Sequence, residues 1–502
     1  MIHITASNKM AYEIVQKAFT RSHGNIVSHN DTNIYCFISP NAEDEETISK
    51  LILNQTKVLI FGKISENLAE ILGLELQVNK MKLADITFDH DNEEDKSAYK
   101  IRYDLEHPLC KHTSLEERYF YRFDFTNEWN NLGYGAITTD DGIWSVSNSL
   151  NALNTTSIAT IYKASEEESV FISLKDFESA SVLFVNREIG TIDGLDWVIV
   201  EDFLSRYRVD HLPCLPLVCD IPDGYNLVAS SRLDCDQSII NTKPVVDLYK
   251  KYNINISLGI STGINIDTTD IEHLNTFYDN GGAVLSHTIN HHEYWGENYT
   301  VAYDEAQGSK LWLEENIIHL EKLKYAVSPF HSNKPYSIQA LQDAGYEGFI
   351  SGIIHNDPEY LMATSGVVPF VKESIITHSE QCMLHGDCYH RNNNSLEVYK
   401  QSFQNHYRGK KIFGYLDHPF GDYDYGWKSE EERLSVHEAF IKYINTFEGV
   451  KWMTSTEILD FVVDKSSIQL EITSEDELVC KRHSFNSSET INIHYKNRVY
   501  TC

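Results

Sequence analysis

The chain has 502 residues and carries 42 Lys+Arg against 74 Asp+Glu, a net charge of −32. That length exceeds one ordinary domain, and 42% hydrophobic with 12% aromatic residues excludes a disordered polymer. The negative charge, with no basic stripe, argues against nucleic acid as a partner and against adsorption to anionic lipid.

Residues 1–210 read as an N-terminal α/β domain. Strands are predicted over 2–6, 33–39 and 57–62, with helices over 9–20 and 46–53 between them. Such alternation at short spacing indicates a parallel sheet covered on both faces, a doubly wound domain of the flavodoxin or amidotransferase kind. Strands at 118–125, 158–163, 169–174 and 181–185 and a helix at 192–206 complete it, and the acidic segment 89–96 reads as a solvated loop. No glycine-rich phosphate loop follows the first strand. Cys36 lies inside a strand and reads as a buried structural thiol, and His107, Cys110 and His112 match no standard metal spacing. Substrate positioning or assembly is the role left for this domain.

The proline-bearing segment 211–225 is a linker into a second unit, 211–465. Strands at 226–233, 255–261, 282–286, 325–330 and 347–351 alternate with helices at 238–252, 267–280, 301–323 and 337–344. Repeated βα units of this length predict a (β/α) barrel whose functional residues gather at the strand C-termini. Residues 466–502 switch to strand-like alternation at 467–472 and 490–495, a short β-rich C-terminal extension. Nine cysteines, an odd number without C-x-x-C, suggest reduced thiols. With no apolar leader after Met1 and no run of 18 apolar residues, a cytoplasmic protein without membrane insertion is expected.

Two motifs carry chemistry. Asp234-Cys235-Asp236 leaves the end of the strand 226–233 with both carboxylates on one side, so one can ligate a metal while the other handles protons. His287-Thr288-Ile289-Asn290-His291 spaces two imidazoles one helical turn apart. Three such N/O ligands are the usual protein share of a catalytic divalent site, leaving a position open for water or substrate. Read singly, the aspartates suit a helix start and the histidines a solvated turn.

Together with Pro335-Tyr336 and the late strand ending Tyr415-Leu416-Asp417-His418-Pro419, the motifs resemble the NodB-type polysaccharide deacetylases over about residues 215–465. The resemblance implies a metal-dependent carbohydrate esterase on a distorted, incomplete (β/α) barrel. It implies Asp236, His287 and His291 as ligands of a divalent ion, zinc foremost. Asp234 falls in the place of the base, His418 in that of the general acid, and the Tyr336 N–H in that of an oxyanion donor. His292 is the rival to His291.

The family's arginine before Pro-Tyr is missing: Asn333 stands there, with His331 the nearest other polar residue. Its Asp-x-x-Asp-Trp survives only as Asp357-Pro358-Glu359-Tyr360. These positions, His331, Asn333 and Asp357, together with Trp427 and its neighbours Tyr423 and Tyr425, are the candidate substrate contacts. The segment with His378, His385, Asp387 and His390 reads either as a pocket wall or as a solvated loop.

The implied reaction removes an N-acetyl group from an amino sugar in a glycan or sugar-nucleotide precursor during surface polysaccharide assembly. Alternatives are hydrolysis of a non-glycan amide and a catalytically degenerate carbohydrate-binding scaffold. A homo-oligomer is compatible with each.

Overall fold

The computed structural model describes residues 2–28, 33–77, 99–113, 116–119, 146–188, 194–331, 333–352, 365–368, 371, 374–380, 382–421 and 425–502. The expected segment 89–96 and most of 118–125 fall outside them.

The N-terminal unit is built on one eight-stranded sheet. Strands His3–Ala6, Ile34–Ile38, Thr56–Phe61 and Ala180–Val185 run parallel in that order. Beyond Ala180–Val185 come Glu166–Asp176, Thr156–Lys163, Tyr99–Tyr103 and Glu117–Tyr119, all antiparallel. The parallel sheet predicted for the whole domain is therefore half of it. Only two residues join Thr156–Lys163 to Glu166–Asp176, and Ala164 among them has φ 52°. So short a link can only reverse the chain, whereas parallel neighbours need a crossover.

Helices Lys9–His23 and Gly194–Ser205 cover one face around Ile14, Phe19, Trp197 and Phe203. Helices Ala42–Leu51 and Glu66–Ile71 cover the other with Ile48 and Leu68. Helix Ala42–Leu51 starts where Asn41 and Asp44 cap each other's backbone N–H groups, earlier than hydrophobic periodicity alone predicted.

The second unit is a curled ten-stranded sheet. Its central strand, Leu227–Cys235, is buried at all nine positions and lies parallel to Ser257–Ile260 on one side and Ile412–Asp417 on the other. Ala283–Ser286, Tyr325–Val327, Gly348–Gly352 and Ile376–Glu380 continue the parallel series. One residue after Glu380, the short strand Cys382–Met383 pairs with Ile412–Asp417, bringing the sheet round onto its first strands. Burial on both faces explains why these strands read as apolar runs rather than alternations.

The helix predicted over 238–252 is shorter: a 3-10 turn, Ile240–Thr242, precedes helix Lys243–Lys250, with Pro244 in its first turn. The helix predicted over 301–323 is Tyr299–Asn316. No helix among the described residues is long and apolar enough to cross a membrane.

Residues 466–502 carry strands at the two expected places, and these pair with upstream segments. Gln469–Ile472 pairs in parallel with Asn25–Ser28 and antiparallel with Leu478–Lys481. The hairpin Asn492–Tyr495/Arg498–Thr501 pairs with Leu217–Val218 of the linker. The extension is thus woven into both upstream segments. It also carries a disulfide, Cys480–Cys502, which corrects the expectation that all thiols are reduced; the other seven cysteines are free. Spacing along the chain carried no signal for a pair that joins two different hairpins and meets only in the folded extension.

Candidate metal centre

Three chain segments meet at the C-terminal end of the barrel strands. Asp236 is the first residue past Leu227–Cys235, and His287 the first past Ala283–Ser286. His287 Nε2 lies 3.3 Å from Asp236 Oδ1, and His291 Nε2 lies 3.7 Å from the same atom. That oxygen is buried and has no hydrogen-bond partner. A carboxylate oxygen left bare between two imidazole nitrogens is costly unless a cation sits among them, so the donor set fits a divalent metal. Asp236, His287 and His291 also satisfy the distances of a three-ligand group.

Nδ1 of His287 lies 3.0 Å from the Val327 carbonyl. Since a carbonyl only accepts, Nδ1 carries the proton and Nε2 presents its lone pair to the site.

The histidine pair does not sit on a helical turn. Thr288 and His291 have φ of 69° and 55°, and the segment is an irregular loop. Other groups hold it: Glu305 accepts from the N–H groups of Ile289 (2.9 Å) and Asn290 (2.8 Å) and from the Asn290 amide (2.6 Å), and the Thr288 hydroxyl accepts the His291 N–H at 2.7 Å. The rings end 4.6 Å apart between centroids. His292 is exposed and takes no part.

Asp234 is held by a group absent from the predicted site. Arg232, two residues earlier on the same strand and fully buried, donates from Nε to Asp234 Oδ1 at 2.6 Å and from Nη2 to Oδ2 at 2.9 Å. Its Nη1 forms an ion pair with Glu380 at 3.0 Å. Burial alone would raise the Asp234 pKa, but Arg232, with His287, holds it well below the carboxylate range. Glu380, buried and sharing that guanidinium with Asp234, is pushed up to about 7.

Gly259 makes the approach possible: it pairs with Asp234 across the sheet, and a Cβ there would stand 2.8 Å from Oδ1. The readable signal was the period of two. Arg232, Asp234 and Asp236 alternate toward one side of a strand, so an arginine was already placed beside the base.

His418 follows Ile412–Asp417 directly, with Nε2 3.4 Å from Asp236 Oδ2. Its Nδ1 is 2.8 Å from His385 Nε2, so one ring donates and the other accepts. Its face stacks on Tyr425 at 3.8 Å and 13°. Asp417 is buried against His437 (2.9 Å) and Arg433 (3.4 Å), with a carboxylate oxygen within 4.8 Å of ring nitrogens of His385 and His418.

Tyr336 stands in the first turn of helix Pro335–Asp343, where a backbone N–H has no helical acceptor. Its hydroxyl donates to the Gly296 carbonyl at 2.7 Å and fixes the turn against the neighbouring loop.

The predicted substrate contacts fare differently. Asn333 is buried and bonded to Ser328 (2.8 Å) and Ser351 (3.3 Å), so it braces the turn and neither replaces the missing arginine nor faces a ligand. Trp427 is 2% exposed and donates its indole N–H to Asp417, a core position that cannot stack on a sugar. His331 is buried, 3.4 Å from Arg232, and burial with that cation holds it neutral. Asp357 and Tyr423 lie outside the described residues. Phe330, 38% exposed and 4.6 Å from the His291 ring, is an aromatic surface beside the site that belongs to none of the motifs.

The sequence model of the polysaccharide deacetylase family matches residues 236–349. No curated protein sequence matches the chain. Among solved structures, the Xyl-CE4 domain of a multidomain xylanase from the hindgut metagenome of Trinervitermes trinervoides is 13% identical, covering 47% of this chain and 90% of that one, with a TM-score of 0.32. Agd3, described as a novel carbohydrate deacetylase, is 9% identical over 98% of this chain and 90% of its own, with a TM-score of 0.37. The CE4 family pseudoenzyme BA3943 from Bacillus anthracis is 13% identical over 47% of this chain and 66% of its own, with a TM-score of 0.30. The matched segment runs from Asp236 through both histidines and Pro335-Tyr336, so residues 236–349 are similar to a polysaccharide deacetylase domain, as a divergent NodB-type sequence would be.

Proposed function

We propose that the protein is a metal-dependent hydrolase that removes the N-acetyl group of an amino sugar in a glycan or glycan precursor. The observation that carries this reading is the pairing of a bare, buried Asp236 oxygen among imidazoles with an Asp234 kept anionic by Arg232. A bound divalent ion supplies Lewis acidity, bringing the pKa of a coordinated water from about 16 toward roughly 7.

The chain's own groups do the rest. Asp236, His287 and His291 would hold the ion. Asp234, ionised and fixed in orientation, accepts the proton of the attacking water. The guanidinium prevents the carboxylate from turning away and spreads the charge it must hold before it takes that proton. The Tyr336 N–H is the donor for the developing oxyanion, and preorganised donors of this kind are typically worth roughly 3 kcal/mol. His418 protonates the leaving nitrogen, a step an amide requires because the bare amide anion is too poor a leaving group. His385 and Tyr425 hold that ring by an edge bond and a stacked face.

The arginine lost before Pro-Tyr is thus supplied from the strand of the base itself, and this favours the enzyme over a degenerate scaffold. The test is acetate release from a panel of acetamido sugars, sugar nucleotides and small amides. Turnover on the sugars is expected; turnover on simple amides alone would move the substrate off glycans, and none on any substrate with metal bound would favour the scaffold.

A further inference from the structure

A cavity of about 460 Å³ opens at the other end of the same barrel strands. Asn226 and Lys411, the residues just before Leu227–Cys235 and Ile412–Asp417, line it, whereas Asp236 and His418 follow those strands. Strands of nine and six residues separate the two places by about 20–30 Å. Five segments build the wall: the loop at His112, helix Gly194–Ser205 and its end, the linker 217–226, the turn 408–411 and the C-terminal hairpin.

Its charge runs against the composition of the chain. Arg206, Arg408, Lys410 and Lys411 all line it, in a protein of net charge −32. The lining acids are already engaged. Glu201 and Asp220 both pair with buried Lys411, Asp220 also pairs with Lys465, and Asp223 accepts from Asn492 at 2.5 Å. Arg408 and Lys410 are exposed, and their side chains have no hydrogen-bond or ion-pair partner among the described residues. Burial, with Arg206 and Lys410 nearby, lowers the pKa of His494 in the same wall. Leu217, Ile221 and Val499 supply an apolar flank.

We propose that this cavity is a binding site for a small organic anion bearing phosphate or carboxylate groups, separate from the metal centre. Two unpaired cations over a floor already neutralised by its own ion pairs leave positive potential for a ligand to satisfy, and the flank accommodates its carbon skeleton. An occupant would touch the N-terminal unit, the linker, the barrel and the C-terminal hairpin at once, and so tie them together.

The test is calorimetric titration of the full chain with pyrophosphate and, separately, with citrate, in the wild type and in Arg408→Glu/Lys410→Glu. One saturable site of sub-millimolar Kd for either anion is expected, weakening with salt, at least tenfold weaker in the double variant, with deacetylase activity unchanged. Which anion binds tells phosphate from carboxylate. Absence of saturable binding for both anions, or binding of equal strength in the double variant, as an anion at the metal centre would give, overturns the proposal.

Discussion

Arg232 grips Asp234 through two nitrogens from two residues upstream on one strand, at 2.6 and 2.9 Å. Lysine at that position keeps the charge but cannot present the planar fork. Arg232→Lys is expected to lower kcat about 100-fold with a smaller effect on KM, and Glu380→Gln to lower it less. Steady-state kinetics beside a thermal melt tests this; a well-folded Arg232→Lys enzyme with wild-type kcat would show that the fork does not tune the base.

Ligands and base separate by different readouts. Asp234→Asn should keep the metal and lose turnover by roughly a thousandfold, since the amide takes no proton. His287→Ala should lose the ion itself. Elemental analysis of the purified variants decides; a metal-free Asp234→Asn protein would mean that Asp234 is a ligand.

Glu305 holds the histidine loop by accepting two backbone N–H groups and one side-chain amide. Replacing it by alanine leaves donors unpaired and should cost about 1–3 kcal/mol of stability. With the loop loosened, metal affinity should fall about tenfold or more. Urea unfolding and metal competition measure the two effects, and unchanged values in both would remove Glu305 from the support of the site.

Away from the metal, acid should unfold the protein through buried neutral histidines. Burial, with Lys57 and Lys465 nearby, depresses His23 to about 4 although the Pro216 carbonyl favours its charged form; burial and Lys411 do the same to His406 against Ser402. Both folded-state pKa values lie below the ordinary 6.5. Between 6.5 and 4 the unfolded chain therefore takes up protons that the folded one refuses. Stability present above pH 6.5 drains as pH falls to 4, by about 3 kcal/mol for each histidine. His23→Gln should flatten that slope. Equal losses in variant and wild type between pH 7 and 4.5 would assign the acid sensitivity elsewhere.

The residues that meet at the metal were legible because their placement is local: Asp236 and His287 each stand one residue past a buried strand, and parallel neighbours bring strand ends together. What supports them was not. Glu380 reaches Arg232 only when the sheet curls, Glu305 reaches the histidine loop only when its helix packs back on it, and neither belongs to a motif. Trp427 looked like a sugar platform because aromatic residues after a turn serve both cores and ligands, and only its burial against Asp417 decides. In the N-terminal unit, β/α alternation revealed the parallel strands, while the two-residue hairpin that makes the other half antiparallel lies in a plain stretch of sequence.

The pairing of Asn25–Ser28 with Gln469–Ile472 has a further consequence for how the chain is made. During synthesis the early strand emerges from the ribosome with its edge open and waits while more than four hundred residues follow, on the order of a minute at cellular rates. Until Gln469–Ile472 arrives, that edge invites a neighbouring nascent chain, so completion of this sheet, and shelter from aggregation, depend on a segment translated long after its partner.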